Sequence, residues 1–321
     1  PNTNRGLYKT TDSGKTWMKK LYVDDTSGIV DLVMDPKNSN HLFASSWTKS
    51  RTAWNFQESG SGSGIWESVD GGEKWTNISC GDSGFPYGPG TGRIGLAFSN
   101  NERGLYLYAA LDNQNRRLDE PTETKSRTAL ERIDFKVMKK DDFMALDTAK
   151  LQTFLEGAGF PEKYSAEKVL SMVEDNEITP KAIYDHGADA NQDLFDTPVI
   201  GLEVYAWNAD SLKWNRTHED YLDDVVYTYG YYFGLIRVHP SNPSHVYVAG
   251  VPLLKSSDSG KTWKSISTEN VHADHHELWI NPNNENHLIN GNDGGVNISY
   301  DGGENYIKCN TPAVGQFYTV A

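Results

Sequence analysis

Ser256-Ser257-Asp258-Ser259-Gly260-Lys261-Thr262-Trp263 is the stretch whose reading decides the fold of this chain. The same Ser/Thr-x-Asp-x-Gly-x-x-Trp pattern stands at Thr10–Trp17 and Ser68–Trp75, and with a terminal Tyr at Ser299–Tyr306. A further copy, Trp207–Trp214, keeps the aromatic end and has lost the glycine. The pattern describes a tight β-hairpin: a carboxylate accepts hydrogen bonds from turn amides, and glycine supplies a backbone angle that other residues resist. The closing Trp is expected to pack back under the next strand. Asp12, Asp70, Asp258 and Asp301 therefore read as architectural residues rather than as chemistry.

This motif is the Asp box, and a second repeated phrase sets its period. Asp31–Ala44, Leu235–Val248 and Glu277–Ile289 each run strand, Pro/Asn turn, strand, with a looser version at Gly95–Tyr108. An Asp-box hairpin follows each phrase as third and fourth strand. Four strands in a repeat of roughly 45 residues mark a β-propeller blade. The expected fold class is all-β, a propeller of four-stranded Asp-box blades forming a partial ring or a fragment of a larger propeller. Residues 5–22 supply half a blade, and complete blades are expected at about 28–79, 92–217, 232–267 and 275–309. Pro312–Ala321 reads as the innermost strand of another blade, and Pro1 as an internal cut in a longer protein, so the segment is expected to have exposed edges unless further chain covers them.

The third blade is interrupted, which divides the chain into blades at 1–111, a mainly helical insertion at 112–199 and further blades at 200–321. Asp112–Ser126 is polar and reads as loop. Asp141–Glu156 carries Phe143, Leu146, Leu151, Phe154 and Leu155 at helical spacing, with Asp141 and Asp142 as cap. A second helix is expected from Ser165 through Glu174, and a third from Thr179-Pro180. Packed on the loop face, the three form a cap. Asp189-x-Asn191-x-Asp193 resembles the start of a calcium loop, but Leu194 replaces the turn glycine and Ile200 the closing Glu, so surface polarity accounts for it better.

Composition removes several classes of function. Forty-four Asp and Glu against 30 Lys and Arg give a net charge of −14, which argues against nucleic-acid or anionic-membrane partners. Cys80 and Cys309 are far apart, so no disulfide framework or thiolate metal site is legible. No apolar run reaches membrane-spanning length.

Propeller connections place candidate chemistry on the face opposite the Asp-box turns. The connection His272-Ala273-Asp274-His275-His276-Glu277 precedes the innermost strand of the last full blade, and Asn290–Gly295 joins that blade's second and third strands. If extended, the first segment puts His272, Asp274 and His276 on one side and His275 with Glu277 on the other. The two loops are expected to meet at the channel mouth. Asp293 and Asp274 are the candidate acid–base residues, and His272, His275 and His276 candidate ligand-binding residues. Two alternatives stay open: a polar network closing the channel, with Asp293 folding its own Gly-Gly turn, or a divalent metal on His272, Asp274 and His276. No other cofactor is expected. Arg51 and Trp54, in the long loop Trp47–Gly64, and Tyr229 and Tyr232, in the run Tyr227–Phe233, add flat rings and charge to the same face. Arg93 precedes the third blade's inner strand and is expected to pair with Asp274 or Asp293.

The Asp boxes, the Asp-Pro-x-Asn phrases, the block His272–Asn281 and Gly291–Gly295 resemble secreted bacterial proteins with a sortilin/VPS10-like N-terminal domain, often labelled BNR-repeat glycosyl hydrolases. The resemblance extends to the insertion through Gly159–Tyr164 and Phe195–Ile200. It implies an exported multi-propeller protein, extracellular, at the cell surface or periplasmic, with a protein or polysaccharide ligand. A more distant similarity is to family 74 xyloglucanases, built from two propellers with one catalytic Asp from each. Their first-propeller Asp sits in an Asp-x-Gly-Gly setting, which Asp293-Gly294-Gly295 matches without the intervening residue. Sialidases share Asp boxes but use an arginine triad for which this chain shows no three matching arginines. The leading reading is an exported propeller module binding polypeptide or glycan on its loop face. The alternative is a xyloglucanase-like glycoside hydrolase using paired carboxylates.

Overall fold

A computed structural model describes residues 2–52, 55–102, 104–117, 130–136, 138–186, 199–227 and 229–309. Two compact units emerge, one of Pro1–Arg116 with Val199–Ala321, the other of Arg117–Pro198.

The first unit is a β-propeller of antiparallel sheets laid down in chain order. Strands β1 (Leu7–Lys9) and β2 (Met18–Leu21) pair alone as a half blade. The next blade runs β3 (Ser27–Asp35) and β4 (Asn38–Thr48), then the small hairpin β5 (Ser50–Arg51) with β6 (Phe56–Gln57), then β7 (Gly64–Ser68) and β8 (Thr76–Asn77). The third blade has β9 (Thr91–Asn101), β10 (Gly104–Arg116), β11 (Val199–Asn208) and β12 (Lys213–Arg216). The fourth has β13 (Leu235–Val238), β14 (Val246–Ala249), β15 (Leu253–Ser256) and β16 (Lys264–Ser265). The last has β17 (His275–Ile280), β18 (Leu288–Asn292), β19 (Gly295–Ser299) and β20 (Ile307–Cys309). The segment 312–321, expected to be an innermost strand, lies outside the described residues.

The Asp boxes turn between the outer two strands of each blade. Oδ1 of Asp12 accepts from Thr16 N at 2.9 Å, that of Asp70 from Lys74 N at 2.9 Å, that of Asp258 from Thr262 N at 2.9 Å and that of Asp301 from Asn305 N at 2.9 Å. The motif's opening Ser or Thr accepts from the glycine amide, as in Gly260 N to Ser256 Oγ at 2.8 Å. Trp263 Nε1 then donates to Gly260 O at 2.9 Å, which folds the ring back beneath the turn. Gly260 has φ +88° and its neighbour Ser259 φ +67°, so two successive left-handed residues reverse the chain. In the worn copy Asn208 Oδ1 takes over as acceptor for Asp210 N and Ser211 N, and Leu212 bears φ +52°.

Apolar clusters lie between neighbouring blades, while Leu32 and Met34 of the second blade and Trp279 and Ile307 of the last are exposed. One joins Phe43 and Ile65 to Ile94, Leu96, Leu111 and Trp214; another joins Ala97 and Tyr108 to Ile236, Val246 and Val248. A third joins Tyr247 and Leu253 to Leu278, Ile280 and Leu288. Burying one such side chain contributes about 1.5–3 kcal/mol relative to leaving it in water. At Gly95 the third blade's inner strand passes close to the backbone that leads into β13: a Cβ there would fall 1.6 Å from the carbonyl oxygen of Gly234.

Strand β10 continues to Arg116, so Asp112–Arg116 is strand and not the loop expected from its polarity. Of its polar side chains Asp112 and Asn113 are buried, while Asn115 and Arg116 face solvent.

The second unit holds a 3-10 turn (Arg132–Lys136) and helices α1 (Lys140–Met144), α2 (Thr148–Gly157), α3 (Ala166–Glu174) and α4 (Pro180–His186) around Phe135, Phe143, Leu151, Leu155, Val169 and Ile183. The single helix expected over Asp141–Glu156 is two. The first ends at the C-cap Ala145, and Asp147 caps the second, accepting from Ala149 N at 2.9 Å and Lys150 N at 3.0 Å. Asp141 and Asp142 lie inside α1, whose N-cap is Lys139, and do not cap it. Ser165 caps α3 through Lys168 N. The calcium-like run Asp189–Asp193 lies outside the described residues.

Candidate functional site

The two connections of the last blade meet. His276 Nε2 is 2.9 Å from Asp293 Oδ1, and Asp293 N donates to Asp274 O at 3.2 Å. β18 and β19 are joined by the two-residue turn Asp293-Gly294, in which Gly294 N bonds Asn292 Oδ1. Asn292 therefore shapes the turn, and the Asp293 carboxylate goes to His276 rather than to its own loop.

The alternation expected across His272–Glu277 does not hold. Asp274 takes φ +63°, which turns the chain before the strand opens at His275. A register shift between His275 and Glu277 then leaves both His276 and Glu277 facing solvent. His275 turns inward and is 1% exposed, with Nε2 3.0 Å from Ser267 Oγ and Nδ1 2.8 Å from Asn290 Nδ2. It is a satisfied core histidine rather than a ligand-binding residue, and burial holds its pKa below the ordinary value. His272 is exposed, with Nδ1 2.9 Å from its neighbour's carbonyl at Ala273. Among the described residues no three His, Cys, Asp or Glu side chains gather as metal ligands, so His272, Asp274 and His276 do not form the suggested set.

From His276 an aromatic line crosses the loop face. The imidazole stacks on Phe233 with ring centres 5.8 Å apart and lies 6.4 Å from Tyr232. Tyr232 packs against Tyr231 at 5.3 Å, and Tyr231 against Phe56 of the second blade's long loop at 4.8 Å. Arg51 closes the line, its guanidinium 5.3 Å over the Phe56 ring. Tyr232 is 61% exposed and Tyr229, 6.1 Å from Tyr231, is 39% exposed. Trp54 lies outside the described residues.

Arg93 is turned to the same loop rather than to Asp274 or Asp293. Its Nη1 donates to Tyr231 O at 2.9 Å and Tyr232 O at 3.1 Å, and so holds the aromatic run in place. Asp31 and Asp112 are the carboxylates that hold its charge against burial. Beneath it the innermost strands enclose a cavity of about 240 Å³, whose polar walls include Asp31, Arg93, Arg237, His276 and Glu277. With Arg93 and His276 paired as above, the other three are committed as well: Asp31 Oδ2 accepts from Leu96 N at 2.9 Å, and Arg237 Nη2 donates to Glu277 Oε1 at 2.6 Å.

Two carboxyls on this face escaped the sequence reading. Asp112 is 3% exposed, and its two oxygens accept from Gln114 Nε2 at 2.8 Å. It packs on the backbone of Gly230, where a Cβ would come 1.9 Å from the carboxyl carbon. Glu58 Oε2 is buried without a hydrogen-bond partner. Burial, followed by the charge of Asp112, pushes Glu58 up to about 7; burial also pushes Asp112 up to about 6, against the pull of Gln114 and Arg93. The available sequence signal was Gly230, a glycine inside an aromatic run that marks a close approach.

No protein-family model matches the chain, and no curated protein matches it in sequence. Among solved structures it is similar to the GH74 xyloglucanase from Xanthomonas campestris, at 13% identity over 93% of this chain and 34% of that one, with TM-score 0.47. It is similar to YCF48 bound to a D1 peptide, at 10% identity over 93% and 59% of the two chains, with TM-score 0.38. The Trypanosoma rangeli sialidase in complex with sialic acid matches at 14% identity over 96% and 40%, with TM-score 0.30. The chain thus spans about a third of the xyloglucanase and less than two thirds of the other two. At such identities the likeness concerns fold alone.

Proposed function

We propose that this chain is a β-propeller module of an exported protein that binds polypeptide or glycan on its loop face. The observation that supports this reading best is the line Arg51–Phe56–Tyr231–Tyr232–His276–Asp293, which runs from the second blade to the last. A sugar ring or an extended peptide needs flat apolar faces with hydrogen-bonding groups at their edges, and the line supplies both. The exported location rests on the resemblance of the repeat phrases alone. No helix among the described residues is long and apolar enough to cross a membrane. Titrating the full chain with oligosaccharides and unstructured peptides, followed by intrinsic fluorescence, tests the reading. Tyr232→Ala should weaken the bound ligand at least about tenfold, the loss of one to two stacking contacts. Unchanged affinity contradicts the proposal.

One observation favours a second reading, glycoside hydrolysis by paired carboxyls. Glu58 keeps its proton near neutral pH beside Asp112, the state a general acid requires. Reducing-end release from polysaccharides should then disappear in Glu58→Gln. Asp293→Asn is the parallel arm for the carboxylate that the sequence placed in an Asp-Gly-Gly setting.

A further inference from the structure

Three cations on the loop face are seated on aromatic rings. Lys49 Nζ stands 4.7 Å over the ring of Trp47 and 5.9 Å over that of Phe56. Arg51, opposite Phe56 in the β5–β6 register, lies 5.3 Å over the same Phe56 ring. Arg93 shares Trp47, its guanidinium carbon 5.8 Å from the ring centre. Two rings thus tie the three side chains into one patch beside Tyr231, whose phenol feels the charge of Arg51. The backbone beneath is fixed. Lys49 N donates to Thr26 O at 3.2 Å, Arg5 Nη2 donates to Lys49 O at 3.1 Å, and Trp47 Nε1 donates to Glu58 O at 2.6 Å.

Arg93 is committed, to the Tyr231 and Tyr232 carbonyls and to the charges of Asp31 and Asp112. Lys49 Nζ and the Arg51 guanidinium meet neither a carboxylate nor a hydrogen-bond acceptor among the described residues. Glu58 belongs to the same loop, but its Oε2 is turned into the protein and buried. A ring orients a cation without cancelling its charge. Elsewhere on the blades Lys9 and Lys20 share Glu73, Arg216 meets Glu203 and Lys264 meets Glu304. In a chain with 44 acidic and 30 basic residues, two cations without a counter-charge mark a place where a ligand supplies one.

The rest of the line decides what kind of anion fits. Beyond Phe56 it continues through Tyr231 and Tyr232, at 4.8 and 5.3 Å, and Tyr232 is 61% exposed. A sugar ring stacked there holds its carboxylate rigidly, so a uronate meets the cations without ordering a flexible stem. An Asp or Glu side chain of a peptide loses that rotamer freedom on binding. At the far end stands Asp293, 54% exposed, which repels a second carboxylate. The net charge of −14 opposes polyanions as a class.

Resting on the loop-face binding proposed above, we infer that this site takes a glycan carrying one uronic-acid residue. The uronate carboxylate sits between Lys49 and Arg51, and the neutral neighbouring sugars lie along Tyr231 and Tyr232.

The test is calorimetric titration of the full chain at neutral pH with four probes: a gluco-trisaccharide containing one glucuronate residue, its methyl ester, tri-galacturonate and triglutamate. The acid should bind at least about tenfold more tightly than its ester, the worth of one charge-assisted hydrogen bond. Added salt should erode that preference. Arg51→Gln and Lys49→Met should each bring the acid-to-ester ratio toward one, while Lys264→Met, on the outer strand β16, should leave it intact. Equal binding of acid and ester, with both weakened by Tyr232→Ala, overturns the uronate assignment and leaves the loop-face reading standing. Tighter binding of tri-galacturonate overturns the single-uronate form, and tighter binding of triglutamate overturns the glycan in favour of an acidic peptide. If neither acid nor ester binds, the assignment falls as well, whatever neutral ligand the loop face proves to take.

Discussion

His276 Nε2 and Asp293 Oδ1, seventeen residues apart in sequence and 2.9 Å apart in space, join the two loops that the last blade contributes to the propeller mouth. The pair is solvent-facing, with 41% and 54% of the side chains exposed. Asp293→Asn should therefore cost less than about 1 kcal/mol of stability, as exposed ion pairs do. Denaturant titration measures this, and a larger loss would make the pair a structural clamp rather than part of a binding surface.

Glu58 supplies a pH-dependent prediction. Its folded pKa is raised, so the native state holds a proton that the unfolded chain gives up between about pH 4.5 and 7. Native stability from this group is present below that window and lost as pH rises through it. Glu58→Gln, which cannot ionise, should be progressively more stable than the parent chain from pH 4.5 to 7.5. A difference that does not vary with pH would show that Glu58 is solvated.

The Asp boxes give the opposite sign. Hydrogen bonds from Thr16, Thr262 and Asn305, together with those from the opening Ser or Thr, hold Asp12, Asp258 and Asp301 down to about 2. Their stabilisation is complete above about pH 4 and is lost as pH falls toward 2. The urea midpoint of Asp258→Asn should depend less steeply on pH in that interval than the parent's. An equally steep dependence would mean that these turns carry no acid sensitivity.

Gly95→Ala should destabilise by about 3 kcal/mol or more, since a methyl 1.6 Å from the Gly234 carbonyl must push two blades apart. Gly157→Ala, where a Cβ meets nothing, is the control and should be neutral or mildly stabilising. Comparable melting of the two variants would show that the innermost strands are more loosely packed than described.

The blades were legible in sequence because their signals are local. Ser256, Asp258, Gly260 and Trp263 bond one another within eight residues, so spacing alone reports the turn. The meeting of His276 with Asp293 was legible too, since both loops belong to one blade. His275 was misplaced because a positive φ at Asp274 and a bulge at the strand start override simple alternation. Glu58 and Asp112 were missed for a different reason. Burial comes to them from separate blades, and no local pattern records that the Asp112 carboxyl lies against Gly230, more than a hundred residues away.

The loop-face account stands or falls on where a ligand touches. Arrays of polysaccharide fragments and unstructured peptides, probed with the parent chain, Tyr232→Ala, Asp293→Asn and Tyr300→Ala, report this directly. Tyr300 is 59% exposed in the Asp-box turn of the last blade, away from the aromatic line. The account predicts at least one retained ligand, lost about tenfold or more in Tyr232→Ala and Asp293→Asn and kept in Tyr300→Ala. Retention that survives the first two changes and fails with Tyr300→Ala, or no retention by the parent chain, would contradict it.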